Sequence, residues 1–323
     1  MSDTVLVSIV CNTFNHEKYI KDALEGFVNQ KTEYSFEILV YDDASTDKTA
    51  SIIRQYEEKY PHLIKPIYQT VNQYSRGLRP GQQNRDRAKG KYVAMCEGDD
   101  FWTDEYKLQK QISYMEAHPD CTFCFSNGYV HDGIQLQGKI IPWDKYATIK
   151  KDSFDYNIGE VEMLGYIPTA SFVYRNGLPT VAVSDAAFKG DAYHKLSKTL
   201  FGYAHYFEEP MCAYRRNVTG SATDVWVKNP TAYAKQCDSF IALFTDFQEI
   251  TEHKYDAVFK MRVCQWKINK YYALRDYAEL KKIAKSKELR YLKTGNRASV
   301  IAYTLKCKYT KLFVWLRSMR TPR

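Results

Sequence analysis

Three carboxylates fall within four residues at Glu97-Gly98-Asp99-Asp100. They follow directly on Tyr92–Cys96, an apolar run that reads as a buried strand. Acids so close repel one another unless a cation or hydrogen-bond donors intervene. Hard oxygen ligands of this kind suit Mg2+ or Mn2+, which enzymes commonly hold with one or two carboxylates plus substrate phosphates. As plain structure, Asp99 or Asp100 would instead cap a following helix. A second acidic pair, Asp42-Asp43, ends the run Phe36–Tyr41. A carboxylate there is placed to accept from a base imide or a ribose hydroxyl, or simply to close an Asx turn. Phe14 follows a third run, Val5–Cys11, and would either stack on a base or bury in the core, the commoner fate of a phenylalanine.

Such residues act together only if one frame carries three strand ends to the same place. The first 127 residues alternate strand and helix patterns. Val5–Cys11 is followed by helical spacing over Ile20–Val28. Phe36–Tyr41 is followed by a helix from the Thr46-Asp47 cap to Tyr60. Then come Ile64–Gln69, a polar loop Thr70–Gly81, and Tyr92–Cys96. This order predicts parallel βαβ units in a single doubly wound, mostly parallel α/β sheet. Ligands of such sheets bind beyond the carboxyl ends of the strands, where Asn12-Thr13-Phe14-Asn15, Asp42-Asp43 and the acidic run all stand. Further on, Lys107–Ala117 and Asp191–Phe201 read as helices, and Thr122–Asn127, Ile167–Arg175 and His205–Tyr214 as strands. Gly128–Asp155 is irregular, and beyond Asn229 the chain turns helical, with a boundary near 228–235. There is no G-x-G-x-x-G after the first strand, no G-x-x-x-x-G-K-[ST] and no G-x-S-x-G. Dinucleotide enzymes, P-loop NTPases and nucleophile-elbow hydrolases are disfavoured, so phosphate charge falls to a metal and to arginines.

Taken in order, three segments closely resemble the family 2 inverting glycosyltransferases of the GT-A fold. They are Val7-Ser8-Ile9-Val10-Cys11-Asn12-Thr13-Phe14-Asn15, Glu37-Ile38-Leu39-Val40-Tyr41-Asp42-Asp43-Ala44-Ser45-Thr46-Asp47, and Gly90-Lys91-Tyr92-Val93-Ala94-Met95-Cys96-Glu97-Gly98-Asp99-Asp100-Phe101-Trp102. Lys189-Gly190-Asp191, Glu209–Asn217, and Gly220-Ser221 before Trp226 agree with that family. The resemblance covers residues 4–228, and it implies roles. Phe14 would pack on the nucleobase, with Thr13 and Asn15 lining its pocket, and Asp43 with Asp42 would contact uracil or ribose. Glu97, Asp99 and Asp100 stand at the family's D-x-D element, which binds ribose and the metal bridging the diphosphate. Asp191 matches the general base that takes the acceptor's proton, so that a single displacement inverts the anomeric centre. Arg215 and Arg216 would help hold diphosphate. Two departures stand out: the first D-x-D acid is Glu97, and Asn217 replaces the family's histidine as a C-terminal metal ligand. The resemblance assigns residues 1–228 to the transferase domain, with a nucleotide-binding part at 1–127 and an acceptor part at 128–228. Residues 229–323 form a helical, basic extension.

Composition bounds the rest. A chain of 323 residues, 45% hydrophobic and 26% charged, is ordinary globular protein. Its net +8 is uneven, because residues 281–323 hold 13 Lys/Arg against Glu288 alone, leaving 33 basic and 37 acidic groups elsewhere. A near-neutral body with a basic tail argues against nucleic acid and for an anionic membrane surface or an acidic partner. Ile301, Leu305, Tyr309, Leu312, Leu316 and Met319 make a helical stripe among those cations. No signal core and no membrane-length apolar run is visible. The expectation is therefore a cytoplasmic enzyme, peripheral on the inner membrane face. Eight scattered cysteines, Cys121-x-x-Cys124 included, read as buried thiols. The expected reaction moves a sugar from a nucleotide-sugar, a UDP-sugar by default, to a glycan or lipid-linked glycan, with Mn2+ or Mg2+. The rivals are a sugar-1-phosphate nucleotidyltransferase, disfavoured because Asn12–Lys18 has no glycine, and a non-catalytic glycan- or nucleic-acid-binding module using the tail.

Overall fold

A computed structural model describes residues 5–140, 154–216, 218 and 228–292. In chain order its strands are β1 (Val7–Thr13), β2 (Phe36–Asp42), β3 (Ile64–Tyr68), β4 (Tyr92–Met95), β5 (Phe101–Trp102), β6 (Cys121–His131), β7 (Leu136–Lys139), β8 (Asp155–Tyr156), β9 (Val173–Arg175) and β10 (Tyr203–Arg215). The helices are α1 (Ile20–Val28), α2 (Thr49–Lys59), α3 (Pro80–Asp86), α4 (Lys107–Ala117), α5 (Ile158–Met163), α6 (Asp191–Thr199), α7 (Pro230–Ile250), α8 (Asp256–Ala273) and α9 (Tyr277–Lys285).

The described strands form one sheet in the order β3-β2-β1-β4-β9-β6-β10-β5, with β7 on β6 and β8 on β10. The long pairings, β3 with β2, β2 with β1, β1 with β4 and β6 with β10, are parallel. β9 inserts antiparallel between β4 and β6. Strands covered on both faces read as continuous apolar runs, and successive residues go to opposite sides. Val7, Ile9 and Cys11 of β1 meet Ile20, Ala23, Leu24 and Phe27 of α1, together with residues of α2 and α4. Val10 joins Leu39, Val93, Met95, Phe123 and Phe172 on the other face. The apolar stripe of α1 recurs three and four residues apart, which is what lays it on the sheet. Each fully buried Leu or Phe of this kind contributes about 1.5–3 kcal/mol.

The structure departs from the sequence expectation at Ile167–Arg175, where only Val173–Arg175 is strand. Pro168 has no amide hydrogen to give a ladder, and Thr169–Ser171 forms a 3-10 turn instead. The carbonyls of that turn are used by side chains: Trp102 Nε1 donates to Ala170 O at 2.8 Å and Gln111 Nε2 to Ser171 O at 3.1 Å.

The described residues divide into two compact units, a sheet unit through Thr180 plus His194–Val218, and a helical unit of Val181–Tyr193 with the described residues from Lys228 onward. The sequence alone places 181–193 with the acceptor part. Here the Phe188 ring packs tilted against Phe240 of α7, centroids 4.4 Å apart, and its amide donates to Ser239 O at 2.9 Å. The helical unit buries an aromatic core in which Phe240 lies flat on Trp266 of α8, centroids 4.0 Å apart, and Phe244 and Phe247 flank Phe259. Among the described residues no helix is long and apolar enough to cross a membrane. The stripe Ile301–Met319 lies outside the described residues.

Candidate active site

Because β1, β2 and β4 are parallel and in register, Thr13 lies opposite Asp42 and Val10 opposite Met95. Their loops therefore leave the same edge of the sheet, and backbone bonds lock them to each other. Asp43 N donates to Thr13 O at 3.0 Å, Cys96 N to Val10 O at 3.2 Å and Gly98 N to Asn12 O at 2.9 Å. Asn84 of α3, fully buried, ties the ends further by donating to Cys11 O and Leu39 O.

Within the acidic loop the side chains split. Glu97 and Asp99 are half-exposed, whereas Asp100 is only 5% exposed. Asp100 Oδ1 accepts the Arg215 amide hydrogen at 2.8 Å. Burial, with Asp99 and Glu97 beside it, pushes the Asp100 carboxyl well above the ordinary carboxylate range. Asp100, expected beside Asp99 as a metal ligand, thus turns inward and anchors β10. Arg215, expected at the diphosphate, is also buried, and its guanidinium is engaged below the loop. Nη1 donates to Asp99 O at 2.8 Å, Nη2 pairs with Asp22 of α1, and the plane sits over Phe101 at 4.4 Å and Tyr19 at 5.2 Å. Such planar, forked donation is what arginine offers and lysine does not.

Gly98 makes the closest approach. A β-carbon there would stand 2.7 Å from Thr13 Oγ1 and 3.1 Å from His16 Nδ1. Both of those polar atoms are buried and make no hydrogen bond within the described residues. Burial holds the His16 imidazole below its ordinary pKa, against the pull of Asp99 and Asp47.

On the β2 side, Asp42 Oδ1 accepts from the amide and hydroxyl of Ser45, closing an Asx-type turn, and burial raises its carboxyl above the ordinary range. The buried Asp43 carboxylate accepts the amide hydrogens of Gln73 at 2.7 Å and Tyr74 at 3.0 Å, so it holds the loop after β3 over the strand ends. Asn15 and Ala44 are non-glycine residues at φ 54° and 62°, a left-handed conformation that costs about 1 kcal/mol or more each. The cost is met by their surroundings: Asn15 N donates to Ser45 Oγ at 2.9 Å and Asn15 Oδ1 accepts from Thr46 N at 2.8 Å. Phe14 is 42% exposed, so it is not core and keeps a face for stacking.

The sheet unit therefore brings together Thr13, Phe14, Asn15, Asp42, Asp43, Glu97, Asp99, Asp100 and Arg215. Asp191 opens α6 and falls in the helical unit, its Oδ1 accepting from Ala192 N at 2.7 Å. Arg216 is exposed past the end of β10, and Asn217 lies outside the described residues. His16, Asp22 and Asn84 were not singled out from sequence. His16 sits one turn past Thr13 and was findable on spacing, but Asp22 and Asn84 carry no local signal.

Among the described residues, no three His, Cys, Asp or Glu side chains converge to enclose a metal ion. Glu97 and Asp99 are partly exposed hard carboxylates on one loop, the ligand type that suits Mg2+ or Mn2+ shared with a diphosphate and water. The donor set fits such an ion.

Residues 8–177 match the family model described as Glycosyl transferase family 2. The uncharacterized protein Rv1520 of Mycobacterium tuberculosis is 34% identical over 218 residues, which span 66% of this chain and 60% of that protein's length. The putative teichuronic acid biosynthesis glycosyltransferase TuaG of Bacillus subtilis is 35% identical over 134 residues, 41% of this chain and 50% of its own. S. aureus TarS 1-349, solved in complex with UDP-GlcNAc, superposes with a TM-score of 0.55 over 98% of this chain and 93% of that one. At 16% identity this last likeness speaks for the fold.

Proposed function

The chain belongs to glycosyl transferase family 2 and has the GT-A fold, and we propose that it transfers a sugar with inversion from a UDP-sugar to a hydroxyl of a cell-surface glycan. The observation that carries this reading is the locked edge of the parallel sheet. There Glu97 and Asp99 stay partly exposed while the buried Asp100 and Arg215 hold their loop. In this reading Phe14 stacks on the base, Thr13 and Asn15 shape its pocket, and Asp43 with Asp42 sets the loop that closes on base and ribose. Glu97 takes a ribose hydroxyl, and Asp99 would hold the divalent cation. When bound, that cation neutralises charge on the leaving nucleoside diphosphate. Asp191 takes the proton from the acceptor hydroxyl as its oxygen attacks the anomeric carbon. The C–O bond to the diphosphate breaks on the opposite side, which inverts the centre.

The acceptor class is an anionic surface polymer or its lipid-linked precursor, in keeping with the polymer named in TuaG. The enzyme works at the cytoplasmic membrane face, where the basic segment 281–323 would meet anionic lipid.

Isothermal titration of UDP, GDP and TDP with Mn2+, then with EDTA, tests the donor site. Metal-dependent binding of UDP, abolished in Asp99→Ala, is expected. Absence of binding by all three nucleotides in folded protein would overturn the reading. Anomeric analysis of the product by NMR tests inversion.

A further inference from the structure

The helical unit carries a cavity of about 270 Å3 whose lining includes Gln248 of α7, Lys260 of α8, and Lys287, Glu288, Arg290 and Tyr291 from a single turn. That turn, Lys287–Tyr291, is a 3-10 helix. Ser286 starts it, its hydroxyl accepting from Glu288 N at 3.2 Å and donating to Ile283 O at 2.9 Å. Side chains three apart eclipse in a 3-10 helix, so Lys287 and Arg290 share one face. Lys267 of α8 fixes the turn by pairing with Glu288 at 2.9 Å, and Leu292 just beyond it is buried.

The cavity's charges do not balance. Glu288 is answered by Lys267, and Lys260 by Asp256 one turn before it. Among the described residues, Lys287 and Arg290 have no carboxylate partner, and like charges held on one face repel. Arg290 Nη2 donates instead to the Tyr291 hydroxyl at 2.6 Å, with the guanidinium 4.8 Å from the centroid of that ring. The hydroxyl accepts this bond, so its own hydrogen is left to donate. The buried Gln248 gives one amide hydrogen to Phe244 O at 3.3 Å and keeps a second. Ammonium, guanidinium and phenol donors thus meet in one cavity with an excess of positive charge. One arginine fork satisfies a carboxylate, whereas the several oxygens of a phosphate use all of these donors at once. The cavity is slightly smaller than the roughly 300–1,000 Å3 of sites for drug-sized ligands, which suits a phosphate and the first atoms of its ester.

We propose that Lys260, Lys287, Arg290 and Tyr291 bind a phosphate ester, and that this ester is the headgroup of an anionic lipid. Lys287 and Arg290 belong to the basic segment 281–323, so the general attraction of that segment to an anionic surface brings the cavity to its ligand. The site converts a diffuse attraction into a defined contact with one headgroup. It rests on the membrane-face reading for the source of the phosphate, while the phosphate site itself stands on the cavity.

The test compares the full chain with the double variant Lys287→Gln, Arg290→Gln and with a second, Lys281→Gln, Lys285→Gln, which removes two charges from α9 outside the cavity. Thermal melting checks that each is folded. Sedimentation with phosphatidylcholine vesicles, with and without phosphatidylglycerol, reads lipid binding; isothermal titration of glycerol phosphate, with EDTA and at constant ionic strength, reads the phosphate alone. General attraction falls about fivefold for each cation removed, equally in both variants. The cavity variant should lose at least about tenfold more affinity for phosphatidylglycerol vesicles than the α9 variant, the worth of charge-assisted bonds. It should also lose the glycerol phosphate binding that the other two chains keep. Equal vesicle losses with no glycerol phosphate bound by the wild-type chain would overturn the site and leave general attraction alone. Glycerol phosphate bound equally by all three chains would place the phosphate elsewhere and overturn it too. Glycerol phosphate binding lost only in the cavity variant, with vesicle binding absent or equally reduced in both, would uphold the phosphate site and overturn the lipid as its source.

Discussion

Substituting Gly98 with alanine asks whether the acidic loop is held where the geometry says it is. The added β-carbon would lie 2.7 Å from Thr13 Oγ1, 2.8 Å from Thr13 Cβ and 3.1 Å from His16 Nδ1. Gly98 is absent from the positive-φ glycines, so the penalty is one of space and not of backbone conformation. Thr13 is buried at the end of β1 and cannot swing away, and Gly98 N is tied to Asn12 O. Overpacking of this kind costs about 1–3 kcal/mol. If the loop stays, that cost appears as lost stability, roughly 2–4 °C in Tm per kcal/mol. If it moves, Glu97 and Asp99 are displaced and affinity for UDP with Mn2+ falls by about 5- to 150-fold, the same energy read as binding. Thermal unfolding and titration calorimetry together capture both routes. Gly138→Ala is the control, because nothing lies within 4 Å of its β-carbon position. Unchanged Tm and unchanged UDP affinity in Gly98→Ala would refute the packing of Gly98 against Thr13 and His16, and with it the fixed loop.

Arg215→Leu removes the guanidinium that bonds Asp99 O and pairs with Asp22. Since Asp22 is half-exposed, the loss should be nearer about 2–3 kcal/mol than the larger figure for a fully buried pair, visible as a lower urea midpoint with weaker UDP binding. Asp99→Asn should abolish metal-dependent UDP binding, whereas Asp100→Asn, whose amide oxygen still accepts from Arg215 N, should keep affinity within about threefold; equal losses in calorimetry would contradict the inward role of Asp100. His194 and His205 both have imidazoles held below their ordinary value by burial, His205 despite Asp155 beside it. For such groups the unfolded chain binds more protons, so stability is fully present above the unfolded pKa of about 6.5 and is lost as pH falls below it. Melting curves from pH 7.5 to 5 should show Tm falling through that window, less steeply in His194→Phe; a flat profile in wild-type protein would count against the burial of these rings.

The elements near the site were legible because their signals are local. β1, β2 and β4 are buried on both faces and therefore appear as unbroken apolar runs. α1 and α4 appear as stripes three and four residues apart, and α4 begins and ends at Lys107 and Ala117, as the spacing predicts. Ile167–Arg175 was misread because an apolar run around Pro168 serves a 3-10 turn as well as it serves a strand, and only the Trp102 and Gln111 donors decide between them.

The sequence by itself determined that acidic and aromatic residues stand at the carboxyl ends of three parallel strands, and that this order belongs to the glycosyltransferases of family 2. It could not determine which acid is buried. That depends on Arg215, which meets Asp100 across 115 positions of chain and Asp22 across 193. Nor could it place residues 181–193, which follow Phe188 into the aromatic core of the helical unit. A side chain's partner across such separations is chosen by the packing of whole elements, since strand and helix periodicity specify a face and leave open what will be brought against it.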